Sequence, residues 1–331
     1  MVNDRPQYLQ RLLASMQIVE GINETLVLFS HQVSPQTCPT HVEFPFDRAR
    51  FASSFPGDDP DDCPRNLAKA EARRQRCNNW QHPDRYGHYR ESAVVQIKHH
   101  FWFLLNYAHR ELLSSMELGV QLVVLEEDYL LAPDFLSVLS QVSSRRHQLC
   151  GDCQLVQLGT NVMSKTEEAK FNRASGRAQF AQLAVQFWQT DRFFCGTAYT
   201  NETLTALLGC ARAYCQFDDY NSDFSIMHAN LACLAKPLRM IRPIVPRLYH
   251  VGTCGFHKHG RAGGASAKQS CWAAAEQTAA FIGRHRERYF PAGMTVVSRL
   301  EKRPAAPKGY GGWGDPRDHG LCLNMTTRQL L

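Results

Sequence analysis

Three carboxylates stand side by side at the end of an apolar run. Residues 122–125 form the pattern of a buried strand, and Glu126, Glu127 and Asp128 follow it directly. Like charges this close repel one another, so a bound cation is an economical way to hold them together, and carboxylate oxygens suit Mg²⁺ or Mn²⁺. The alternative is a solvated acidic turn that caps a following helix, in which case no ligand is needed.

Other polar residues at the ends of predicted elements could also take part in chemistry. His250 ends a predicted strand and is interpreted either as a metal ligand or as a satisfied core histidine. Asp218, Asp219 and Asp223 lie at the start of a predicted helix, where carboxylates commonly cap the first turn. An earlier predicted helix carries a polar group made of Gln96, Lys98, His99 and His100. On composition alone, this group is the polar face of that helix.

The chain contains 12 cysteines, a high number for a protein of a reducing compartment. Structural zinc would need two closely spaced pairs, and Cys150 with Cys153 has only Cys210 with Cys215 as a near second pair. Disulfides need only proximity in the fold, so an oxidising compartment is the preferred interpretation. Three glycosylation sequons agree with it, and they begin at Asn23, Asn201 and Asn324.

Composition sets the broad class of the protein. With 331 residues, of which 44% are hydrophobic and 21% charged, the chain has enough apolar material for a large folded core. Its net charge of +6 comes without a block of lysine or arginine, which argues against a nucleic-acid partner. No apolar run is long enough to span a membrane, and residues 1–10 lack the pattern of an export signal. Since the cysteines and sequons indicate the secretory pathway, we expect a signal anchor and a first strand upstream of this sequence.

Short apolar runs alternate with longer helical patterns along the chain. Strands are predicted at residues 26–31, 122–125, 155–158 and 241–250, and helices at 6–19, 91–113, from 133, and at 201–213, 220–234 and 270–289. Polar segments over residues 32–90, 161–180 and 258–268 are predicted as loops, and cysteines are expected to cross-link the first of them. The alternation predicts an α/β fold, in which ligands bind beyond the carboxyl ends of the strands.

Six segments stand out in order along the chain: FPGDDPDDCPRNL, YGHYRESAVVQIKHHFWF, LEEDYLLAPDF, QFDDYNSDFS, IVPRLYHVGTCGFHK and GGWGDPRDHGLC. In this order and spacing they resemble the alpha-1,6-mannosyl-glycoprotein 2-beta-N-acetylglucosaminyltransferases, the N-acetylglucosaminyltransferase II family. The resemblance runs from about Asn3 to Cys322, which is nearly the whole chain.

The resemblance implies a single catalytic domain over residues 1–331, with a GT-A-type, Rossmann-like α/β fold whose sheet is mixed and mainly parallel. It also implies a type II membrane enzyme of the Golgi with a lumenal catalytic domain. Such an enzyme uses Mn²⁺ and transfers N-acetylglucosamine from UDP-N-acetylglucosamine to the α1,6-arm mannose of an N-glycan, forming a β1,2 linkage with inversion. The expected partners are therefore the nucleotide sugar and an N-glycan on a glycoprotein, and a homodimer is left open.

Particular residues acquire roles through the resemblance. Asp128 and His250 would bind the metal ion, and Asp223 would act as the catalytic base. The residues implied in donor binding are Asn3, Asp4, Arg5, Gln32, Gln96, Ile97, Lys98, His99, His100, Glu126, Glu127 and Lys165. Among these, Arg5 and Lys98 offer cationic groups suited to phosphate oxygens.

A set of disulfides is also implied by the resemblance. The pairs are Cys63–Cys77, Cys150–Cys153, Cys210–Cys233, Cys215–Cys322 and Cys254–Cys271, which leaves Cys38 and Cys195. These pairs would cross-link separate segments of the domain.

The chain departs from the family pattern at three positions near the implied site. Ser222 stands where the family has tryptophan before the base, Gln32 where it has aspartate, and Lys165 where it has arginine. The loss of an aromatic surface and of a bidentate guanidinium predicts weaker binding of acceptor and donor. A non-catalytic relative that binds glycans or nucleotide sugars is therefore the alternative function.

Overall fold

Helices and strands alternate in the computed structural model, which describes residues 1–2, 5–31, 41–114, 116, 119–160, 174–190, 194–252 and 265–327. The helices are α1 (Pro6–Met16), α2 (Lys69–Gln75), α3 (Ser92–Tyr107), α4 (Phe135–Ser144), α5 (Arg146–Leu149), α6 (Asn201–Gly209), α7 (Ala211–Cys215), α8 (Ser222–Ala232), α9 (Ala265–Arg284) and α10 (Pro316–Thr326). The strands are β1 (Phe29–His31), β2 (His41–Glu43), β3 (Gln121–Val123), β4 (Tyr129–Leu131), β5 (Leu155–Gln157), β6 (Gly159–Thr160), β7 (Gln182–Phe187), β8 (Thr197–Thr200), β9 (Arg239–Pro243), β10 (Leu248–His250) and β11 (Thr295–Leu300). The predicted α/β class is therefore confirmed.

The described strands form three sheets. The largest has six strands in the order β11-β7-β9-β5-β8-β3, a second has the order β4-β10-β6, and β1 pairs with β2. The mixed character is confirmed, but the expectation of a mainly parallel sheet is wrong, because three of the five pairings in the large sheet are antiparallel. All three involve β7 or β8, which sequence reasoning did not predict. An apolar run shows that a strand is buried but not how its neighbour is directed.

One predicted strand is two strands in different sheets. The run at 241–250 divides into β9, in the six-stranded sheet, and β10, in the three-stranded sheet. Between them Arg247 is fully buried, and its Nε lies 2.9 Å from a carboxylate oxygen of Asp134. The backbone of Arg247 also pairs with Ala132 and Leu158. Pro246 lies in the same gap and has no backbone N–H to donate, which disfavours one continuous strand here.

Helix predictions agree best where the apolar pattern is long. α1 and α3 lie within their predicted ranges, and a π-helical segment, Ala108–Leu113, continues α3 to the predicted end. α9 begins and ends five residues earlier than predicted, so residues 265–268 of the predicted loop are helical. Within the predicted loop at 161–180, residues from 174 form a 3₁₀ segment, and residues 161–173 lie outside the described part of the chain. Among the helices described here, none combines the length and the apolar character that crossing a membrane requires.

Aromatic packing fixes α3 in the largest core cluster. Phe101, Trp102 and Phe103 are each at most 3% exposed, and the Trp102 ring stacks on Tyr214 of α7 with centroids 4.1 Å apart. A helix that is apolar on nearly all sides is a buried helix. The polar residues of α3 are consequently held inside the protein along with its aromatic residues.

Four of the five expected disulfides are present: Cys63–Cys77, Cys150–Cys153, Cys210–Cys233 and Cys215–Cys322. Cys38 and Cys254 lie outside the described residues, so the expected pair Cys254–Cys271 stays a prediction, and Cys195 is a buried thiol that belongs to none of these four disulfides. Because the four cysteines considered for zinc are all oxidised to disulfides, that alternative is wrong. The Cys215–Cys322 bond joins α7 to α10 across a sequence separation of 107 residues.

Candidate functional site

Two antiparallel strands bring the acidic segment and the predicted histidine together. β4 begins immediately after Asp128, and its pairing with β10 places His250 opposite Tyr129. The backbone N–H of Val251 donates to the Asp128 carbonyl oxygen over 2.9 Å. Nε2 of His250 lies 3.3 Å from Oδ2 of Asp128. The register of one strand pair therefore sets two residues side by side that are 122 positions apart in sequence.

The acidic segment is buried, so the alternative of a solvated, helix-capping turn is wrong. Glu127 and Asp128 are 1% and 3% exposed, and the next helix begins only at Phe135. Arg5 pairs with both carboxylates, because its Nε donates to Glu127 Oε1 over 2.5 Å and its Nη1 donates to Asp128 Oδ2 over 2.8 Å. Part of the positive charge that this segment requires is thus supplied by the chain itself.

These contacts set the protonation of the carboxylates. Burial by itself would raise the pKa of Asp128, but the hydrogen bonds and charges of His250 and Arg5 outweigh it and hold the pKa below its ordinary value. Burial and the neighbouring charge of Asp128 raise the pKa of Glu126. Asp128 is therefore ionised at neutral pH, as a metal ligand must be.

The surroundings of Asp128 and His250 fit a divalent cation. Oδ1 of Asp128 is buried and makes no hydrogen bond within the part of the chain that the structure describes. Gly252 borders the same two side chains, and a Cβ at this position would overlap Oδ2 of Asp128 and lie 2.8 Å from Nε2 of His250. Only glycine therefore leaves both side chains in place. A carboxylate oxygen and an imidazole nitrogen are ligands that suit Mn²⁺.

Asp223, the predicted base, lies in the first turn of α8, whose N-cap residue is Asn221. Oγ1 of Thr190 donates a hydrogen bond of 2.6 Å to Oδ2 of Asp223. Burial raises the pKa of Asp223 to about 6 against the effect of this hydrogen bond, and the charge of Asp219 adds to the rise. A carboxylate with such a pKa suits a general base, because it is ionised at neutral pH and still accepts a proton readily.

A buried thiol interacts electrostatically with both parts of the site. Burial raises the pKa of Cys195 well above its ordinary value, and the charges of Glu126, Asp128 and Asp223 act on the thiol in the same direction. Tyr129 hydrogen-bonds with Cys195, and its hydroxyl donates to Oε1 of Glu126 over 3.1 Å. The acidic segment and Asp223 therefore both act electrostatically on the same buried thiol.

Sequence reasoning missed Thr190, Cys195 and Gly252. Thr190 lies 33 residues before its partner and carries no motif of its own, and a lone cysteine gives no indication of position. Gly252 had a readable signal, since it follows a strand-ending histidine by two residues and glycine often marks a close approach of the backbone.

Lys98 of α3 supports the loop in front of Asp223. Its side chain is fully buried, and its Nζ donates to the carbonyl oxygens of Asp219 over 2.7 Å and Phe217 over 3.2 Å. The same atom lies 4.0 Å from the ring centroid of Trp313, and burial lowers the pKa of Lys98 well below its ordinary value. In this conformation Lys98 positions the loop, and its implied contact with the donor stays a prediction.

The other polar residues of the same helix are also buried, so the alternative of a solvated polar face is wrong. Their contacts are His99 Nε2 to Asp318 Oδ1 at 2.9 Å, His100 Nε2 to Ser30 Oγ at 2.6 Å, and the backbone N–H of Arg48 to Gln96 Oε1 at 2.6 Å. Ile97 is half-buried. Four residues implied in donor binding lie outside the described part of the chain: Asn3, Asp4, Gln32 and Lys165.

Known proteins similar to this chain share one name. The N-acetylglucosaminyltransferase II (MGAT2) family model matches residues 1–322. An alpha-1,6-mannosyl-glycoprotein 2-beta-N-acetylglucosaminyltransferase of Sus scrofa is 32% identical over 341 residues, which are 99% of this chain and 72% of the pig protein. Proteins of the same name are 33% identical in Rattus norvegicus and 25% identical in Arabidopsis thaliana, each aligned over 73% of its own length and over 99% and 98% of this chain. The chain therefore belongs to the N-acetylglucosaminyltransferase II family.

Proposed function

We propose that this protein transfers N-acetylglucosamine from UDP-N-acetylglucosamine, in β1,2 linkage, to the α1,6-arm mannose of an N-glycan. The observation that carries the proposal is the pairing of Asp128 with His250 across β4 and β10. Asp223 supports it as a buried carboxylate that acts electrostatically on the same thiol, Cys195, as Asp128 does. The names of the related enzymes support this reaction. The alternative of a non-catalytic relative is not favoured, because it would not require ionisable groups gathered in one place.

Asp223 acts as the base of a single displacement. It takes the proton from the mannose hydroxyl while that oxygen attacks the anomeric carbon of the donor sugar, and UDP leaves from the opposite face. Attack and departure on opposite faces invert the configuration at that carbon, so no covalent intermediate with the protein is needed. The hydrogen bond from Thr190 orients the carboxylate, and burial tunes its pKa for the proton transfer.

Asp128 and His250 would hold the divalent cation, for which we propose Mn²⁺. Bound there, such an ion would supply positive charge for the departing diphosphate. Arg5 keeps a guanidinium beside the same carboxylate, where it can also bind phosphate oxygens. Gly252 preserves the space that both ligands need.

The proposal includes a GT-A-type arrangement and the Golgi lumen as the place of the reaction. The acidic segment begins shortly after β3, an edge strand of the six-stranded mixed sheet, and leads into β4 of the three-stranded sheet. Its place beyond the carboxyl end of a strand supports such an arrangement. The four disulfides support an oxidising compartment.

A transfer assay tests the proposal directly. The disulfide-intact protein is incubated with UDP-N-acetylglucosamine, Mn²⁺ and a biantennary N-glycan that lacks N-acetylglucosamine on its α1,6 arm only. We expect UDP release and the addition of one N-acetylglucosamine in a β linkage, detected by mass spectrometry and NMR. Asp128→Asn should abolish transfer, whereas Arg74→Ala, a change on the exposed face of α2, should not. A wild-type protein that releases no UDP would contradict the proposal.

A further inference from the structure

Tyr129 packs against the proposed metal ligand His250. It is the first residue of β4, is 2% exposed, and lies opposite His250 in the pairing of β4 with β10. Its ring meets the imidazole edge-on, with centroids 5.8 Å apart and planes at 83°. The His250 side chain is 31% exposed, so burial alone does not fix its ring. Because opposite side chains on one face of a strand pair pack together, the Tyr129 ring restricts the directions that the imidazole can take.

The hydroxyl of Tyr129 binds the first carboxylate of the acidic segment. It donates a hydrogen bond of 3.1 Å to Oε1 of Glu126. Arg5 hydrogen-bonds the other two carboxylates, Glu127 and Asp128. Neighbouring carboxylates repel one another, and a partner for each keeps it in place. Among the described residues, Tyr129 thus supplies for Glu126 the contact that Arg5 supplies for its two neighbours.

A buried thiol also binds the Tyr129 hydroxyl. Tyr129 hydrogen-bonds with Cys195, which is 5% exposed. The backbone at Cys195 is tightly held, because Nε2 of Gln157 donates to its carbonyl oxygen and a Cβ at Gly159 would lie 2.4 Å from that oxygen. A phenol carries one proton, so a hydroxyl that donates to a carboxylate accepts its second hydrogen bond from the thiol. The hydroxyl is therefore fixed in direction as well as in place.

We propose that Tyr129 is a positioning residue with two separable roles: its ring orients His250 for the divalent cation, and its hydroxyl orients Glu126 for the nucleotide sugar. This inference rests on the proposed function, because His250 is the proposed metal ligand and Glu126 is implied in donor binding by the family resemblance. A side chain that is already positioned loses less conformational entropy when its ligand binds. Loss of the hydroxyl should therefore weaken donor binding alone, and loss of the ring should weaken metal binding as well.

Substitutions at Tyr129 separate the ring from the hydroxyl. Tyr129→Phe removes the hydroxyl and keeps the ring, whereas Tyr129→Leu removes both. Cys195→Ala removes the thiol, and Cys195→Ser restores a hydrogen-bonding group in its place. Tyr289→Phe is the matched control, because Tyr289 is 3% exposed, its hydroxyl lies 3.1 Å from that of Tyr249, and it belongs to a different core cluster from Tyr129.

Three quantities are measured on the disulfide-intact protein and on each variant. Electron paramagnetic resonance titration gives the affinity for Mn²⁺ without nucleotide. Calorimetry at saturating Mn²⁺, without acceptor, gives the affinity for UDP-N-acetylglucosamine. The melting temperature shows whether a variant is folded, and Tyr129→Met takes the place of Tyr129→Leu if the leucine variant fails to fold.

We expect Tyr129→Phe to weaken donor binding about 3- to 10-fold, the change that the loss of one hydrogen bond produces, and to leave the Mn²⁺ affinity unchanged. Tyr129→Leu should also weaken Mn²⁺ binding about tenfold, because a metal ligand that loses its supporting contact binds less tightly. Cys195→Ala should weaken donor binding in the same direction as Tyr129→Phe, and Cys195→Ser should return it toward the wild-type value. Tyr289→Phe should change neither affinity.

The outcomes distinguish this inference from the proposed function. A donor affinity in Tyr129→Phe equal to the wild type's would overturn the role of the hydroxyl, and an unchanged Mn²⁺ affinity in Tyr129→Leu would overturn the role of the ring. Equal losses in Tyr129→Phe and Tyr289→Phe would show a general structural effect and would also overturn the inference. Normal transfer by the wild type would leave the proposed function standing in each of these cases. A wild-type protein that binds Mn²⁺ and the nucleotide sugar but transfers nothing would refute the enzyme, while the expected losses in the Tyr129 variants would still support the positioning roles.

Discussion

Replacing Asp223 by asparagine removes the proposed base and keeps the shape of the side chain. The amide oxygen can still accept the hydrogen bond from Thr190, so the first turn of α8 should stay in place. Without a group that accepts the proton of the acceptor hydroxyl, we expect kcat to fall about 10²- to 10⁴-fold. KM for UDP-N-acetylglucosamine should change little, because Asp128 and His250 are untouched. Unchanged kcat in Asp223→Asn would refute the assignment of the base.

The pKa of Asp223, raised to about 6 by burial, predicts how the rate depends on pH. Below that pKa, kcat/KM should fall about tenfold per pH unit, so about one tenth of the activity should remain at pH 5. Thr190→Val removes the hydrogen bond that opposes the rise, and the acid limb of the profile should move to higher pH. Coinciding limbs in wild type and Thr190→Val would therefore contradict Asp223 as the titrating group.

The same shift has a consequence for stability. The pKa of Asp223 is about 6 in the folded protein against an ordinary value of 3.8, so the folded state binds more protons than the unfolded chain between these two values. Stability therefore falls as the pH rises through this window, by about 2–3 kcal/mol in total. Asp223→Asn carries no charge at any pH and should be more stable than the wild type at pH 7, and equally stable near pH 3. Urea unfolding at both pH values measures the free energy of unfolding of the variant and of the wild type. Equal values for the two proteins at pH 7 would refute the burial of a charged Asp223.

Three further changes test other parts of the structure. Gly252→Ala should displace Asp128 and weaken Mn²⁺ binding about 10- to 100-fold, and an unchanged affinity in electron paramagnetic resonance titrations would contradict the metal site. Lys98→Met removes the shorter of two hydrogen bonds to the carbonyl oxygen of Asp219, so urea unfolding should show a loss of about 1–3 kcal/mol, and a loss within error of zero would refute the positioning role. Cys215→Ser opens the disulfide between α7 and α10 and should lower the free energy of unfolding by about 4 kcal/mol, while a melting temperature equal to the wild type's would contradict this.

The features that the sequence predicted well have local signals. α1 and α3 follow from apolar residues at helical spacing, and the acidic segment follows directly from an apolar run. Six short segments in order were enough to assign the family, because residue types at fixed spacing are a property of the chain alone. The four disulfides came from that resemblance, since cysteine spacing by itself leaves the pairing open.

What the sequence could not determine depends on contacts between distant parts of the chain. The prolines at 243 and 246 weaken the segment 241–250 as one strand, but the sequence did not show that its two halves would join different sheets. The polar residues of α3 are buried because the aromatic residues of the same helix pack into the core and bury it on nearly all sides. The spacing of apolar residues along the sequence does not show this burial.

Sequence alone thus determined the family, the main helices and the residue types of the candidate site. Tertiary structure decided which of those residues meet: the register of β4 with β10 sets His250 beside Asp128, and burial of α8 raises the pKa of Asp223. Ring packing likewise joins three segments that are far apart along the chain, through Tyr86, Phe224 and Tyr310. Strand register, burial and ring packing all arise from non-local contacts, so they have no pattern within a window of sequence.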